Sequence, residues 1–184
     1  MAANLGLISD GNDANSALGI IGTDFYDQPI NRGRLKALGL QAAGQKCAYL
    51  PDSSLTSRDK INVRDGHYPL WGRIHFFAGK QGGTPVSPGA AMFLPLFTGP
   101  AFDQDVLGSL IKAGFVPPCA MKVSREAELG PFTYDDPPPV SCGCFFDAQT
   151  DTPLPMECQT CKQNSDCKAQ RPSCNYGFCE QEPM

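Results

Sequence analysis

The sequence predicts an α/β domain followed by an irregular, disulfide-rich tail, and three observations support this fold class. Segments typical of strands and of helices alternate over residues 1–123. Seven of the nine cysteines lie beyond residue 141. The charge also changes, from ten Lys/Arg against nine Asp/Glu up to Pro118 to five against ten from Cys119 onward. We therefore divide the chain into a domain at 1–123, a proline-rich linker at 124–141 and a small cysteine-rich tail at 142–184.

The first part of the domain is predicted to contain three strands and one helix. The apolar run at 16–25 predicts a buried strand. In 28–45 apolar residues recur at helical spacing, although two internal glycines each cost such a helix about 1 kcal/mol relative to alanine. A further strand is predicted at 46–51. Residues 67–78 are rich in aromatic and branched side chains, which favours a long strand.

The second part of the domain is predicted to contain two helices and a final extended segment. Residues 90–99 predict a short buried helix that Pro95 limits. The clearest helix of the chain is predicted at 101–114, because apolar residues line one face, acids occupy the first turn and a lysine and a glycine close it. Residues 115–124 follow as the extended segment.

Composition limits the possible partners and the cellular compartment. The net charge of −4 gives no basic surface for nucleic acid, and no apolar run approaches the length of a membrane span. The dense cysteines of the tail, with few apolar side chains around them, predict disulfide bonds and therefore an extracytoplasmic location in the periplasm, on the cell surface or in secretion. Because the first residues lack the pattern of an export signal, we expect that signal upstream of Met1.

Three short segments resemble the C-terminal part of type II periplasmic solute-binding proteins, most closely the phosphate-binding and substrate-binding branch. They are Leu18-Gly19-Ile20-Ile21-Gly22, Tyr68-Pro69-Leu70 and Gly114-Phe115-Val116-Pro117. The resemblance covers about residues 14–123. It implies a partial lobe of a two-lobed fold that closes on a small solute, commonly an oxyanion, with the first half of that fold lying upstream. The cysteine-rich tail departs from the pattern and is similar to tails of secreted or lipid-anchored bacterial surface proteins.

Five residues are candidate ligand contacts, which we list here: Arg64, His67, Tyr68, Thr23 and Asp24. Arg64 is the best candidate for an anion, because a guanidinium holds a carboxylate or phosphate through two parallel hydrogen bonds. His67 and Tyr68 lie where the resemblance places the crossing between lobes, and Thr23 and Asp24 follow a predicted strand. The simpler alternatives are a half-buried strand around His67 and helix-entry chemistry at Thr23 and Asp24.

Catalysis, metal binding and cofactor binding are not predicted. The cluster of polar residues around both histidines has no nucleophile motif beside it. His67 and His75 are eight residues apart, ~26 Å along an extended strand, which is too far for one metal ion. The tail contains one C-x-x-C pair but no histidine, and its uneven spacings fit disulfides better than zinc.

All nine cysteines are candidates for disulfide bonds, which we list here: Cys47, Cys119, Cys142, Cys144, Cys158, Cys161, Cys167, Cys174 and Cys179. Seven tail cysteines cannot all pair with one another, so Cys119 or Cys47 is expected to supply an eighth partner. Alternatively, Cys47 pairs with Cys119 and one tail thiol remains for a lost or intermolecular partner. The spacing leaves the connectivity open.

Two functional hypotheses follow from the sequence. The first is a non-enzymatic, extracytoplasmic solute-binding protein that takes a small anion such as phosphate when complete, with a transporter or surface partner that the sequence does not identify. The second is a secreted or surface-anchored structural or interaction protein without a small-molecule ligand. A melting temperature that responds to small anions would distinguish the first from the second.

Overall fold

The computed structural model describes residues 18–97, 102–134, 140–150 and 153–181. Its α-helices are α1 (Thr23–Tyr26), α2 (Pro29–Arg32), α3 (Ile61–Arg64), α4 (Pro88–Phe93), α5 (Gln104–Lys112) and α6 (Gly143–Gln149). Short 3-10 helices cover Leu94–Leu96, Pro118–Ala120 and Asn164–Asp166. The strands are β1 (Lys80–Gln81), β2 (Thr84–Pro85), β3 (Val123–Ser124), β4 (Thr133–Tyr134), β5 (Ser173–Asn175) and β6 (Phe178–Glu180).

The strands form three separate antiparallel pairs, β1–β2, β3–β4 and β5–β6. In the last pair Cys174 lies opposite Cys179, so the end of the tail is a small hairpin. The fold is thus a mixture of helices and small antiparallel sheets followed by an irregular, disulfide-rich tail. This confirms the irregular, disulfide-rich tail and a mixed content of helices and strands, whereas the three small strand pairs do not form the sheet of a binding lobe within the described residues.

Three of the predicted strands are wrong in the part of the chain that the structure describes. Residues 67–78 are irregular and pair with no strand, and 46–51 contribute only the isolated bridge from Tyr49 to Leu40. The described part of 16–25 contains helix α1 instead of a strand, while residues 16 and 17 lie outside the description. The physical reason is that a strand needs a neighbour to accept its backbone hydrogen bonds, and at these positions the described residues supply only the single bridge partner Leu40.

The predicted helices have mixed outcomes. The helix at 101–114 is confirmed as α5, where the carboxylate of Asp103 accepts hydrogen bonds from the backbone N–H groups of Asp105 and Val106. The helix at 28–45 is much shorter than predicted, because only α2 forms and Gly33 ends it. In the segment at 90–99, the described residues 90–97 form the end of α4 and a 3-10 turn, but their side chains are not buried as predicted, and residues 98 and 99 lie outside the description.

The main core lies between α5 and α6. It comprises Leu107, Ile111, Cys119, Ala120, Cys142, Phe145 and Phe146. Leu107 is fully buried at 0% exposure. The core therefore combines residues from both sides of the predicted linker, whose central residues 135–139 lie outside the described ranges.

Four disulfides connect the tail to itself and to the preceding domain. They are Cys119–Cys142, Cys144–Cys158, Cys161–Cys174 and Cys167–Cys179. Cys119 is thus the eighth partner for the seven tail cysteines. The assignment of Cys47 to a disulfide is wrong, because its thiol is free and exposed while the sulfur of Cys119 is already bonded to Cys142.

We expect the double variant Cys119→Ser/Cys142→Ser to lose about 2–4 kcal/mol of unfolding free energy, because this disulfide closes a long loop and lies in the core. Chemical denaturation of the oxidised protein measures the loss. Cys47→Ser is the matched control and should change the unfolding free energy by less than about 0.5 kcal/mol, since Cys47 is exposed. Equal losses in both variants would contradict the pairing.

Candidate functional site

The guanidinium of Arg64 is buried and bonded to other parts of the chain. Arg64 is 2% exposed. Its Nη1 lies 2.5 Å from Oδ1 of Asp147 in helix α6, and its Nε donates to the carbonyl of Ala120 at 3.0 Å. The guanidinium also lies over the ring of Phe146, 4.6 Å from the centroid. Arg64 therefore joins α3 to the tail and to the Cys119 turn.

His67 and Tyr68 lie next to each other at a more open surface. Nδ1 of His67 is 2.7 Å from Oδ1 of Asp65, and its ring stacks on Tyr49 with 4.7 Å between centroids. The side chain of His67 is about half exposed. Partial burial raises the pKa of the Tyr68 phenol. His67 thus remains accessible to a ligand, whereas the guanidinium of Arg64 points into the protein.

Thr23 and Asp24 begin helix α1 and serve local structure. The Thr23 hydroxyl donates to the carbonyl of Gly114 at 2.7 Å. Gly114 has φ of +92°, and a Cβ there would lie 2.8 Å from the Thr23 carbonyl oxygen, so this approach requires glycine. Asp24 is exposed. Thr23 is therefore bonded to Gly114, whereas Arg64 is bonded to Asp147 and Ala120, and these two candidate ligand contacts share no bonding partner.

Sequence reasoning missed a buried ion-pair network that joins Asp27 and Arg32 to Asp52 and Lys60. Lys60 is 1% exposed, and its Nζ lies 2.7 Å from Asp27 and 2.9 Å from Asp52. Arg32 pairs with the same two carboxylates at 2.8 and 3.3 Å. Burial raises the pKa of Asp52, although the positive charge of Lys60 opposes this effect. No local pattern reveals this network, because Asp27 lies far from Asp52 and Lys60 in the sequence.

Three cysteine sulfurs of the tail lie close together because they belong to two neighbouring disulfides, and they do not form a metal site. The Sγ atoms of Cys161, Cys167 and Cys179 lie within 4.8 Å of one another. Each of these sulfurs is bonded in a disulfide, so none is available as a thiolate ligand. The close spacing instead reflects two adjacent disulfides at the β5–β6 hairpin.

An exposed apolar surface runs along 74–93, where the predicted long strand ends. We call this surface the apolar face and define it by Ile74, Phe76, Phe77, Met92 and Phe93. All five are exposed, Phe77 to 94%. The rings of Phe76 and Phe93 are in edge contact, with 6.1 Å between centroids. No aspartate or glutamate occurs between residues 66 and 102. Several large apolar side chains exposed close together in the sequence, two of them in contact, are typical of an interaction site.

The start of this segment is held firmly against the β3 region. The guanidinium of Arg125 lies 3.8 Å from the centroid of the Trp71 ring and donates to the Trp71 carbonyl. The backbone N–H of Arg73 donates to Glu128 at 3.1 Å. Trp71 and Arg73, which precede the apolar face, are therefore held in place by Arg125 and Glu128.

Within the described ranges, no helix combines the length and the apolar character needed to cross a lipid bilayer. Comparison with known proteins finds no matching family model, no similar curated protein and no similar solved structure.

We expect Arg64→Ala to lower the unfolding free energy by about 3–5 kcal/mol, because it leaves Asp147 and the Ala120 carbonyl without their partner in a buried position. Urea denaturation measures the change. Lys36→Ala is the control, because Lys36 is exposed and its loss should cost less than about 0.5 kcal/mol. An unchanged stability in Arg64→Ala together with a loss of anion binding would contradict this structural role and support Arg64 as a ligand contact.

We expect Glu180 to make the unfolding free energy depend on pH in the mildly acidic range. Burial raises the pKa of this carboxyl above 4.5, although the N–H of Cys144, at 2.7 Å, opposes the shift. Between the unfolded and the raised folded pKa the folded protein binds more protons, so the unfolding free energy falls as pH rises through this window. Denaturation at a series of pH values, compared with Glu180→Gln, isolates this contribution. A wild-type minus variant difference that rises with pH would contradict it.

Proposed function

We propose that this chain is the C-terminal part of an extracytoplasmic protein that binds a small anionic solute and is not an enzyme. The extracytoplasmic part of the proposal is supported by the four disulfides, which form and persist in oxidising compartments. The observation that carries the solute-binding part is the apolar face, whose Ile74, Phe76 and Phe77 follow the Tyr68-Pro69-Leu70 segment that resembles the crossing between the lobes of type II solute-binding proteins.

The apolar face has the character of a strand surface whose cover belongs to another lobe. Residues 74–77 are Ile, His, Phe and Phe, and within the described ranges they take part in no strand pairing. A soluble protein rarely leaves a side chain as large as Phe77 almost fully exposed beside other apolar residues. A second lobe packed on this face would bury it.

The contact between Thr23 and Gly114 supports the same proposal. Thr23 directly follows the segment 18–22, and Gly114 begins the segment 114–117, so two of the three segments that carry the resemblance are adjacent in space. Two segments that belong to the same lobe are expected to be adjacent in this way.

The second hypothesis is a secreted or surface-anchored structural or interaction protein without a small-molecule ligand. The position of Arg64 favours it, because the side chain best suited to an anion is bonded internally to Asp147. The integration of α6 into the main core also fits a scaffold role.

Thermal unfolding with inorganic phosphate or sulfate separates the two hypotheses. A solute-binding chain should be stabilised by about 2.7 kcal/mol at an anion concentration of 100 times Kd, which raises the melting temperature by about 5–10 °C. Chloride at the same ionic strength is the control for screening. Identical melting temperatures in phosphate, sulfate and chloride would reject solute binding by this chain and favour the second hypothesis.

A further inference from the structure

A small polar cleft separates the ion-pair network from the two core helices. Its volume is about 140 Å³, and it is lined by Asp27, Arg58, Ile111, Lys112, Gln149 and Thr150. Asp27 and Arg58 come from the N-terminal part of the chain, the next two from the end of α5, and the last two from the end of α6. The cleft is therefore completed by the cysteine-rich tail.

The cleft carries more positive than negative charge in a chain that is acidic as a whole. Its lining has two cations and one carboxylate, whereas the chain has a net charge of −4. The carboxylate of Asp27 is already paired with Arg32 at 2.8 Å and with Lys60 at 2.7 Å. By contrast, within the described part of the chain the side chains of Arg58 and Lys112 take part in no hydrogen bond or ion pair. Lys112 is exposed and Arg58 is partly buried, so both cations line the cleft at its solvent-accessible side.

We propose that this cleft binds a free inorganic oxyanion such as phosphate or sulfate through Arg58 and Lys112. The inference rests on the proposed function, because it assigns the contact residues for the anion that the function requires. The Arg58 guanidinium supplies a planar pair of donors and the Lys112 ammonium a mobile point charge, which together suit a tetrahedral oxyanion. The carboxamide of Gln149 also lines the cleft and offers further N–H donors.

The size of the cleft limits the ligand to a small anion. Sites for organic ligands usually enclose about 300–1,000 Å³, more than this cleft provides. Ile111, which is 3% exposed, forms an apolar part of the wall and lowers the local dielectric, which strengthens the attraction between cation and anion. A free inorganic oxyanion therefore fits better than the same group attached to an amino acid or a peptide.

The test measures binding of inorganic phosphate and of sulfate to the oxidised chain by calorimetry at constant ionic strength. We expect Arg58→Gln and Lys112→Gln each to weaken binding by at least about tenfold, since each removes a charged hydrogen-bond donor. Lys36→Gln is the control, because Lys36 is exposed and does not line the cleft, and it should leave the affinity unchanged. Melting temperatures without anion verify that the three variants fold as the parent does.

Each outcome has a separate meaning. Anion binding that survives both cleft substitutions would overturn this site but leave the proposed function standing. An absence of binding to the parent chain would overturn both. Equal affinity for inorganic phosphate and for O-phosphoserine would overturn the assignment of a free oxyanion, because the larger ligand exceeds the cleft.

Discussion

The Cys119–Cys142 disulfide is the constraint on which the rest of the structure depends. It joins the turn after α5 to the residue that starts α6, and both sulfurs lie in the main core. The backbone N–H of Cys142 also donates to the carbonyl of Cys119 at 2.9 Å. With this connection in place, the phenylalanines of α6 pack against Leu107 and Ile111 of α5. A chain with so few buried apolar residues depends on such a covalent restriction of its unfolded state for much of its stability.

Charged side chains complete the interior where apolar residues are scarce. Arg64 connects α3 to Asp147 of the tail, and Lys60 connects two segments through Asp27 and Asp52. Each of these cations is buried, so each needs its carboxylate partner to offset the loss of hydration. The same geometry explains why the predicted anion contact and the structural role of Arg64 compete. A guanidinium already paired with a buried carboxylate has little attraction left for a second anion.

The sequence predicted the features that depend on local chemistry and missed those that depend on distant partners. Helix α5 was predictable because Asp103, the apolar spacing and Gly114 all act within one helix. The disulfide character of the tail followed from cysteine density. The strand at 67–78 was predicted from side-chain type alone, but pairing requires a neighbouring strand that no local pattern reveals. The burial of Arg64 and Lys60 was equally hidden, since Asp147 lies 83 residues after Arg64.

The tail is more than an appended cap, because it supplies structure that the preceding domain lacks. Helix α6 provides Phe145 and Phe146 to the main core and Gln149 and Thr150 to the wall of the polar cleft. The end of α5 contributes Ile111 and Lys112 to the same cleft, and the core that Cys119 and Cys142 share holds α5 and α6 together. The Cys119–Cys142 disulfide is thus a covalent link between the turn that follows α5 and the residue before α6, and the two helices it connects both line the cleft.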